Sequence, residues 1–229
     1  MKKPMILLEN TISIPYNIRI WAKSHSVPIK RIRSDNSVSS CAYPPDYEYV
    51  IEYSEDLTTE FLDVTYCHSH NLPAVIARTE RLVIREIGIS DLYQYATILK
   101  ENPNATSDKS LLSLSPSDFK DRHIAYMKYS YQFLGYGIWG LFANTISSPK
   151  MIGIAGLDGT DPELSYAILK DYRKNGYAYE AVSKILEYAT TELNINKIRI
   201  NINKDNSESL KLAEKLSEHF PGILVQQLL

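Results

Sequence analysis

The segment Arg173–Ala178 has the composition of an anion-binding loop. It follows a strand-like run, and an amphipathic helix is predicted to begin at Gly176. The first turn of a helix leaves backbone N–H groups without partners and carries a positive potential, which favours an anion. Gly176 and Ala178 are small enough for a phosphate group to approach the backbone, and Arg173 adds a positive charge. The sequence therefore predicts a phosphate site at this helix start.

The chain around this loop resembles the GNAT acetyltransferases. Arg173, Gly176 and Ala178 fit the family's R/Q-x-x-G-x-G/A loop, and the surrounding run is similar to that of the ribosomal-protein N-terminal acetyltransferases, the RimJ/RimL branch. The opening strand Thr79–Arg85 and the N-x-x-S motif at 206–209 are also similar. The loop alone is a weak signal, but the order of these motifs over the last two-thirds of the chain is specific.

The resemblance implies that acetyl-CoA binds as a cosubstrate, and no metal is expected. The pyrophosphate is expected at the loop, and backbone N–H groups of the preceding strand are expected to face the thioester and pantetheine. The implied contacts are Tyr166, Ala167, Ile168 and Leu169 in the strand, Arg173, Lys174, Asn175, Gly176, Tyr177 and Ala178 in the loop and helix, and Asn206.

Glu163 is the predicted catalytic base. Acetyl transfer requires a neutral amine, whereas a chain-terminal amine has a pKa of about 8 and a lysine amine about 10. Glu163 matches the family position often given this role, and it begins a strand with an apolar interior, where a carboxylate is partly desolvated. The alternative is an exposed carboxylate at a strand end.

Ser209 is the predicted proton donor for the departing thiolate, because it matches the serine of the N-x-x-S motif. Its alternative role is a first-turn helix residue that bonds local backbone. Asn206 could bond the coenzyme, cap the final helix, or do both.

Two other groups of residues invite a functional interpretation. Tyr126, Tyr129, Tyr131 and Tyr136 precede a strand where the acceptor groove of this fold usually lies, and most are expected to pack, with a minority lining a substrate site. Cys67, His68 and His70 could ligate a metal, but histidines beside a helix end more often cap it or face solvent, so no metal site is predicted.

The second region, residues 78–229, predicts an α/β (α+β) domain of the GNAT fold, with a mixed, mostly antiparallel sheet flanked by helices. Turn-rich segments separate the strand patterns between 137 and 169, so these strands are expected to pair antiparallel. Strands are predicted at 82–87, 137–143, 151–157, 163–169 and 198–202, and helices after Ser90, after Ser115, at 176–193 and after Asn206.

Residues 1–77 predict a separate small α/β domain of unknown role. Its sheet is expected to be partly parallel, because strand and helix patterns alternate. Strands are predicted at 5–9, 29–33, 47–53 and 74–77, helices at 14–25 and 57–70, and a Ser/Pro-rich loop at 34–45. Charges are only basic over 19–33 and only acidic over 46–63; the two stretches are expected to face each other or solvent, and a partner-docking surface is the alternative.

Composition argues against several classes of protein. The net charge of -2 gives no sign of a nucleic-acid or membrane partner. No apolar run approaches the roughly 20 residues of a membrane span, and the run Met5–Leu8 is too short for a signal peptide. The 2 cysteines have no metal-site spacing, so a reduced, cytoplasmic protein is expected.

The end of the chain departs from the family pattern. Family members usually continue after the N-x-x-S helix with two strands, whereas Phe220–Leu229 has room for one short strand. The acceptor side is expected to be incomplete or completed by the N-terminal segment or a partner chain, which leaves a homodimer open. The acceptor is a protein N-terminus, an amino-sugar antibiotic, a polyamine or an amino acid. The alternative function is a catalytically degenerate, regulatory acyl-CoA-binding protein.

Overall fold

The structure is a computed structural model that describes residues 3–9, 13–32, 47–52, 58–144 and 149–228. The chain divides into two compact units, Met1–Ala74 and Val75–Leu229. The predicted Ser/Pro-rich loop at 34–45 lies outside the described residues, as does most of the predicted turn at 144–149. No helix in the described part of the chain is both long and apolar enough to cross a membrane.

The first unit is an α/β structure with a three-stranded sheet in the order β2-β1-β3, whose paired strands all run parallel. Ile6, Ile18 and Leu62 are fully buried in its core. The parallel pairing agrees with the alternation of strand and helix in the sequence. Its elements are β1 (Lys3–Glu9), α1 (Tyr16–Ser24), β2 (Ile29–Ile32), β3 (Tyr47–Glu52) and α2 (Thr59–Ser69).

Asp63 connects the two helices of this unit. Its carboxylate accepts a hydrogen bond from Trp21 Nε1 at 2.5 Å and lies 3.9 Å from His25 Nε2. One member of the acidic stretch therefore faces α1. His70 stacks on Tyr66 with ring centroids 4.0 Å apart. Among the described residues, no group of three His, Cys, Asp or Glu side chains is placed to hold a metal ion.

The second unit is built on a seven-stranded sheet in the order β10-β9-β8-β7-β6-β5-β4. From β4 to β8 all neighbours are antiparallel, while β8, β9 and β10 run parallel. The strands are β4 (Val75–Arg78), β5 (Leu82–Arg85), β6 (Ile138–Ala143), β7 (Lys150–Asp158), β8 (Glu163–Ile168), β9 (Ile198–Asn203) and β10 (Ile223–Leu228). The predicted mixed, mostly antiparallel sheet is confirmed.

The strand predicted at 74–77 belongs to this larger sheet. It is observed as β4, which pairs antiparallel with β5, so the larger sheet begins before the predicted start of the second domain at residue 78. The predicted opening strand 82–87 ends two residues early, at Arg85. The last residues form the single expected strand, β10, at the edge of the sheet.

Helices cover both faces of the sheet. The helices are α3 (Leu92–Glu101), α4 (Pro116–Tyr126), α5 (Tyr177–Thr191) and α6 (Ser207–Ser217), and a π-helix (Met127–Leu134) continues α4. On one face, α5 and α6 pack on Leu164, Ile168 and Ile200 in the larger core. On the other, α3 and α4 pack on Ile154 and Ala167. This alternation fixes which side chains of β8 face which layer.

Candidate active site

A cleft opens in the sheet where β8 and β9 separate. The two parallel strands are paired at Glu163 and Arg199, and no register partner follows along them in the described chain. The cleft has a volume of about 1360 Å³ and is lined by both strands, by the segment after α3 and by the start of α6. Such a volume accommodates more than one small ligand.

The predicted anion-binding loop connects β8 to α5. Lys174 and Gly176 both have left-handed backbone conformations, with φ of 61° and 80°, and α5 begins at Tyr177. The first N–H groups of α5 have no intrahelical acceptors and lie at the positive end of its dipole. Lys174 is exposed, with its Nζ 3.8 Å from Glu208 Oε1. The loop therefore offers backbone donors and a mobile cation to an anion.

Glu163 lies half-buried at the start of β8 and faces the α3–α4 side. Its neighbours on that face are Ser165 and Ala167, and Ser165 Oγ donates to the carbonyl of Ala105 at 2.9 Å. This bond attaches β8 to a short 3-10 helix, Pro103–Ala105, that follows α3. The carboxylate of Glu163 lines the cleft, as a base acting on an amine in the cleft requires.

Tyr166 and Ser209 lie on the opposite side of β8. The Tyr166 hydroxyl is inaccessible and makes no hydrogen bond of full geometry, although the Ser209 hydroxyl lies beside it. Burial raises the pKa of the Tyr166 hydroxyl, and the adjacent Ser209 opposes this rise. Asn206 Oδ1 accepts from the Ser209 N–H at 3.1 Å, so the predicted helix cap is present. Both residues of the N-x-x-S motif line the cleft.

The sequence model of the family described as "Acetyltransferase (GNAT) domain" matches residues 81–217 of this chain. This match spans β8, β9 and α6, which line the cleft. The chain belongs to the GNAT acetyltransferase family.

Two curated relatives match shorter parts of the chain. An uncharacterised N-acetyltransferase, p20, of Bacillus licheniformis is 32% identical over 80 residues, which are 33% of this chain and 45% of that protein. The protein YkkB of Bacillus subtilis is 28% identical over 92 residues, 38% of this chain and 54% of that protein. The chain thus spans about half the length of these curated relatives.

Two solved structures share the fold. A protein of Bordetella pertussis assigned to the GNAT family superposes with a TM-score of 0.51 and 21% identity, over 61% of this chain and 86% of the other. RimL, a ribosomal L7/L12 α-N-protein acetyltransferase solved with coenzyme A, gives a TM-score of 0.52 and 15% identity, over 62% of this chain and 82% of that one.

Arg173, predicted as a cation for the phosphate, makes hydrogen bonds within the protein. Its Nε donates to the carbonyl of Ile168 at 3.0 Å, and its Nη2 donates to Asn102 Oδ1 at 2.8 Å. The guanidinium therefore attaches the loop to the end of β8 and to the end of α3. Its charge remains near the GNAT loop, but its hydrogen bonds position the backbone. Asn175 is similar, since its Nδ2 donates to the carbonyls of Tyr172 and Arg173.

The expected role of the strand N–H groups needs a correction. The Leu169 N–H donates to the carbonyl of Ile152 at 2.9 Å, so the prediction that it faces a thioester is wrong. Because N–H groups alternate in direction along an antiparallel strand, Ala167 also donates toward β7. Tyr166 and Ile168 then direct their N–H groups toward β9 and the cleft. Every second backbone N–H group of β8 therefore points toward the cleft.

Most members of the tyrosine cluster have structural roles, as expected. Tyr131 donates to the carbonyl of Ile138, whose N–H donates to the Tyr126 hydroxyl at 2.7 Å, so the two tyrosines hold the start of β6. Tyr136 donates to the carbonyl of Gly159 at 2.9 Å. Tyr129 is half-exposed and lines the cleft.

His123 is a cleft-lining residue that the sequence analysis did not single out. It is buried, and its Nε2 lies 2.7 Å from the carbonyl of Ile87, so this nitrogen carries the donated proton. Burial lowers its pKa, which keeps the ring neutral. The isolated histidine in an amphipathic helix gave no sequence signal of this placement.

Arg81 and Glu180 form a clamp that the sequence analysis also missed. Arg81 Nε donates to Glu180 Oε2 at 2.6 Å, and its Nη1 donates to the carbonyl of Asn175 at 2.9 Å. Its guanidinium also lies over the Tyr177 ring, 4.5 Å from the centroid. The clamp connects β5, the loop and the first turn of α5. The sequence did contain a signal for this pair, because Arg81 and Glu180 both lie within the motifs on which the family resemblance rests.

We expect Glu180→Gln to destabilise the loop and lower the melting temperature by about 2–6 °C. Burial acts to raise the pKa of Glu180, but hydrogen bonds from Thr79 and Arg81 outweigh it and lower the pKa. A carboxylate with a lowered folded-state pKa contributes stability above its unfolded pKa, and loses it as the pH falls through the folded value. The difference in melting temperature between wild type and variant should therefore be present at about pH 7 and shrink as the pH falls through the lowered pKa of Glu180.

Thermal unfolding followed by circular dichroism across this pH range measures the difference. Glu187→Gln is the matched control, because the exposed Glu187 lies on the same helix and accepts a hydrogen bond from Lys184 at 2.7 Å. An equal effect of both substitutions, or a difference that persists in acid, would show that the clamp does not stabilise the loop.

Proposed function

We propose that this protein is an acetyl-CoA-dependent N-acetyltransferase that acts on a primary amine by direct attack in a ternary complex. The observation that carries the proposal is the arrangement of functional side chains on the two faces of β8. Glu163 faces one side of the strand, Tyr166 and Ser209 meet on the other, and both sides open into one cleft. The anion-binding loop follows the same strand.

The residues present fit coenzyme A. The loop before α5 offers unpaired N–H groups and Lys174 to the pyrophosphate. The inaccessible Tyr166 hydroxyl, without a full hydrogen bond, and the cleft-facing N–H groups of Tyr166 and Ile168 offer polar partners to the pantetheine arm. Bound acetyl-CoA supplies the activated acetyl group.

The proposed reaction conserves atoms and charge. The neutral amine nitrogen attacks the thioester carbon, its proton passes to Glu163 directly or through a water, and the new N–C bond forms as the C–S bond breaks. Strand N–H groups stabilise the charge that develops on the thioester oxygen. Ser209, at the start of α6 and beside the Tyr166 hydroxyl, gives a proton to the leaving thiolate. Solvent water then returns a proton to Ser209 and takes up the proton held by Glu163, so both residues recover their starting state.

Three further parts belong to this proposal. We infer that the chain belongs to the RimJ/RimL branch of the family, a proposal that the motifs 163–181 and 206–209 support. The two compact units are separate domains with a boundary near residues 73–79, which limited proteolysis should cut. We also propose a cytoplasmic location, which the 2 cysteines without metal-site spacing support.

The test is release of coenzyme A from acetyl-CoA by the purified full-length protein, against a panel of amines and N-terminal peptides. We expect at least one acceptor to release coenzyme A with matching formation of an acetylamide, identified by mass spectrometry. Tight acetyl-CoA binding without release on any acceptor would instead support a regulatory acyl-CoA-binding protein.

A further inference from the structure

Asp158 and Glu163 are direct neighbours across the β7–β8 hairpin. They are register partners, so they project from the same face of the sheet. The next pair along, Leu157 and Leu164, faces the α5–α6 core, which places the two carboxylates on the α3–α4 side. Directly opposed residues have Cβ atoms about 4.5–5.5 Å apart. Both carboxylates line the cleft.

Neither carboxylate accepts a hydrogen bond or forms an ion pair within the described part of the chain. Arg199, the register neighbour of Glu163 on β9, is paired with Asp161 instead, and other neighbouring acids are also paired. Asp161 Oδ2 lies 3.0 Å from Arg199 Nη1, and Asp108 Oδ2 lies 2.6 Å from Arg122 Nη2. Two unpaired like charges directly opposite each other destabilise a sheet. A bound cation would remove this cost.

A third oxygen faces the same side of the cleft. Asn201 alternates with the core residues Ile200 and Ile202 on β9, so it shares the face of Glu163. Its Oδ1 is inaccessible to solvent and has no hydrogen-bond partner in the structure. A buried acceptor without a donor is costly unless a ligand supplies one. An ammonium group carries three N–H donors and no acceptor.

Aromatic residues define the pocket around Asp158. Burial is the main cause that raises the pKa of the Tyr95 and Tyr126 hydroxyls, and the negative charge of Asp158 is the second. Both tyrosines line the cleft. The carboxylate thus lies beside aromatic walls, which suit a methylene chain and a cation.

We propose that the acceptor is a small diamine or polyamine, with Asp158 holding a second ammonium group while Glu163 takes the proton from the attacking nitrogen. The inference rests on the proposed N-acetyltransferase function. The attacking nitrogen is neutral when it reacts, so it needs one base; a second charged carboxylate matches a second cation. A short methylene chain spans the separation between two opposed side chains. A peptide N-terminus of neutral residues carries a single ammonium and leaves Asp158 unpaired.

The experiment compares butane-1,4-diamine with butan-1-amine, which differ in the second amine alone, and with a neutral N-terminal peptide. We expect the wild type to show a kcat/KM about tenfold to a hundredfold higher for the diamine, the range of a hydrogen bond to a charged group. Asp158→Asn keeps the side-chain shape and should raise the KM for the diamine by a larger factor than the KM for the monoamine. Asp161→Asn, on the adjacent turn and already paired with Arg199, should leave the preference intact.

Equal kcat/KM values for the two amines in the wild type would overturn the inference. So would an equal loss on both amines in Asp158→Asn, or a preference for the peptide. If no amine releases coenzyme A, the proposed function fails, and calorimetric binding of butane-1,4-diamine then decides this inference separately. Binding that weakens about tenfold or more in Asp158→Asn supports the inference, and absence of binding overturns it.

Discussion

Glu163→Gln is expected to lower turnover by about 10²–10⁴-fold near neutral pH, the usual range for loss of a general base. The amide keeps the shape of the side chain but cannot accept the proton that the amine nitrogen loses. The half-buried carboxylate at the start of β8 lies at the opposite end of the strand from the loop. Acetyl-CoA affinity, measured by calorimetry, should therefore be unchanged in this variant.

Comparing Ser209→Ala with Glu163→Gln separates the role of the acid from that of the base. Ser209→Ala should lower turnover by a smaller factor than Glu163→Gln, because water can protonate a thiolate, which is a good leaving group. The gap between the variants should narrow at high pH, where more of the amine is already neutral. The measurement is kcat over pH for wild type and both variants on one acceptor.

Full activity of Glu163→Gln near neutral pH would show that the base is another group. Deprotonation of the amine by bulk water would then explain the reaction better. The neutral, buried His123, which lines the same cleft, would be the next residue to substitute.

Gly176→Val is expected to reduce acetyl-CoA affinity by at least about a hundredfold. A Cβ at this position would meet Arg81 Nη2 at 3.5 Å, an ordinary contact, so lack of space is not the cause. The cause is the left-handed conformation, with φ of 80°, which a β-branched residue strongly disfavours. Valine would change the course of the loop and block a phosphate from the N–H groups of α5.

Gly135→Val is the matched control for this prediction. Gly135 has nearly the same φ, 78°, at the end of the π-helix, and nothing lies within 4 Å of an added Cβ. The strain is similar, of order 1–3 kcal/mol, but the site is remote in the chain from the loop. Isothermal titration calorimetry should show normal acetyl-CoA affinity in Gly135→Val. Unchanged affinity in Gly176→Val would refute the loop as the pyrophosphate site.

Local residue patterns were sufficient to predict the elements around the site and the position of the loop. Apolar periodicity predicted β8, α5 and β9, and the left-handed Gly176 lies at the predicted helix start. Asn206 caps α6 as its residue type predicts. These features follow from interactions between residues a few positions apart, which a single sequence displays directly. The mostly antiparallel sheet followed from the turn-rich segments between strands.

Which polar groups remain available in the cleft depends on contacts between segments that are distant in the chain. Arg173 is a cation in the sequence, but its hydrogen bonds to Ile168 and Asn102 make it a positioning residue. Leu169 loses its N–H to β7, and Arg81 meets Glu180 across 99 positions of chain. The hairpin register makes Asp158 the neighbour of Glu163, while Asp161, on the turn between them, pairs with Arg199. Partner choice between distant segments depends on sheet register and packing, which local residue patterns do not encode.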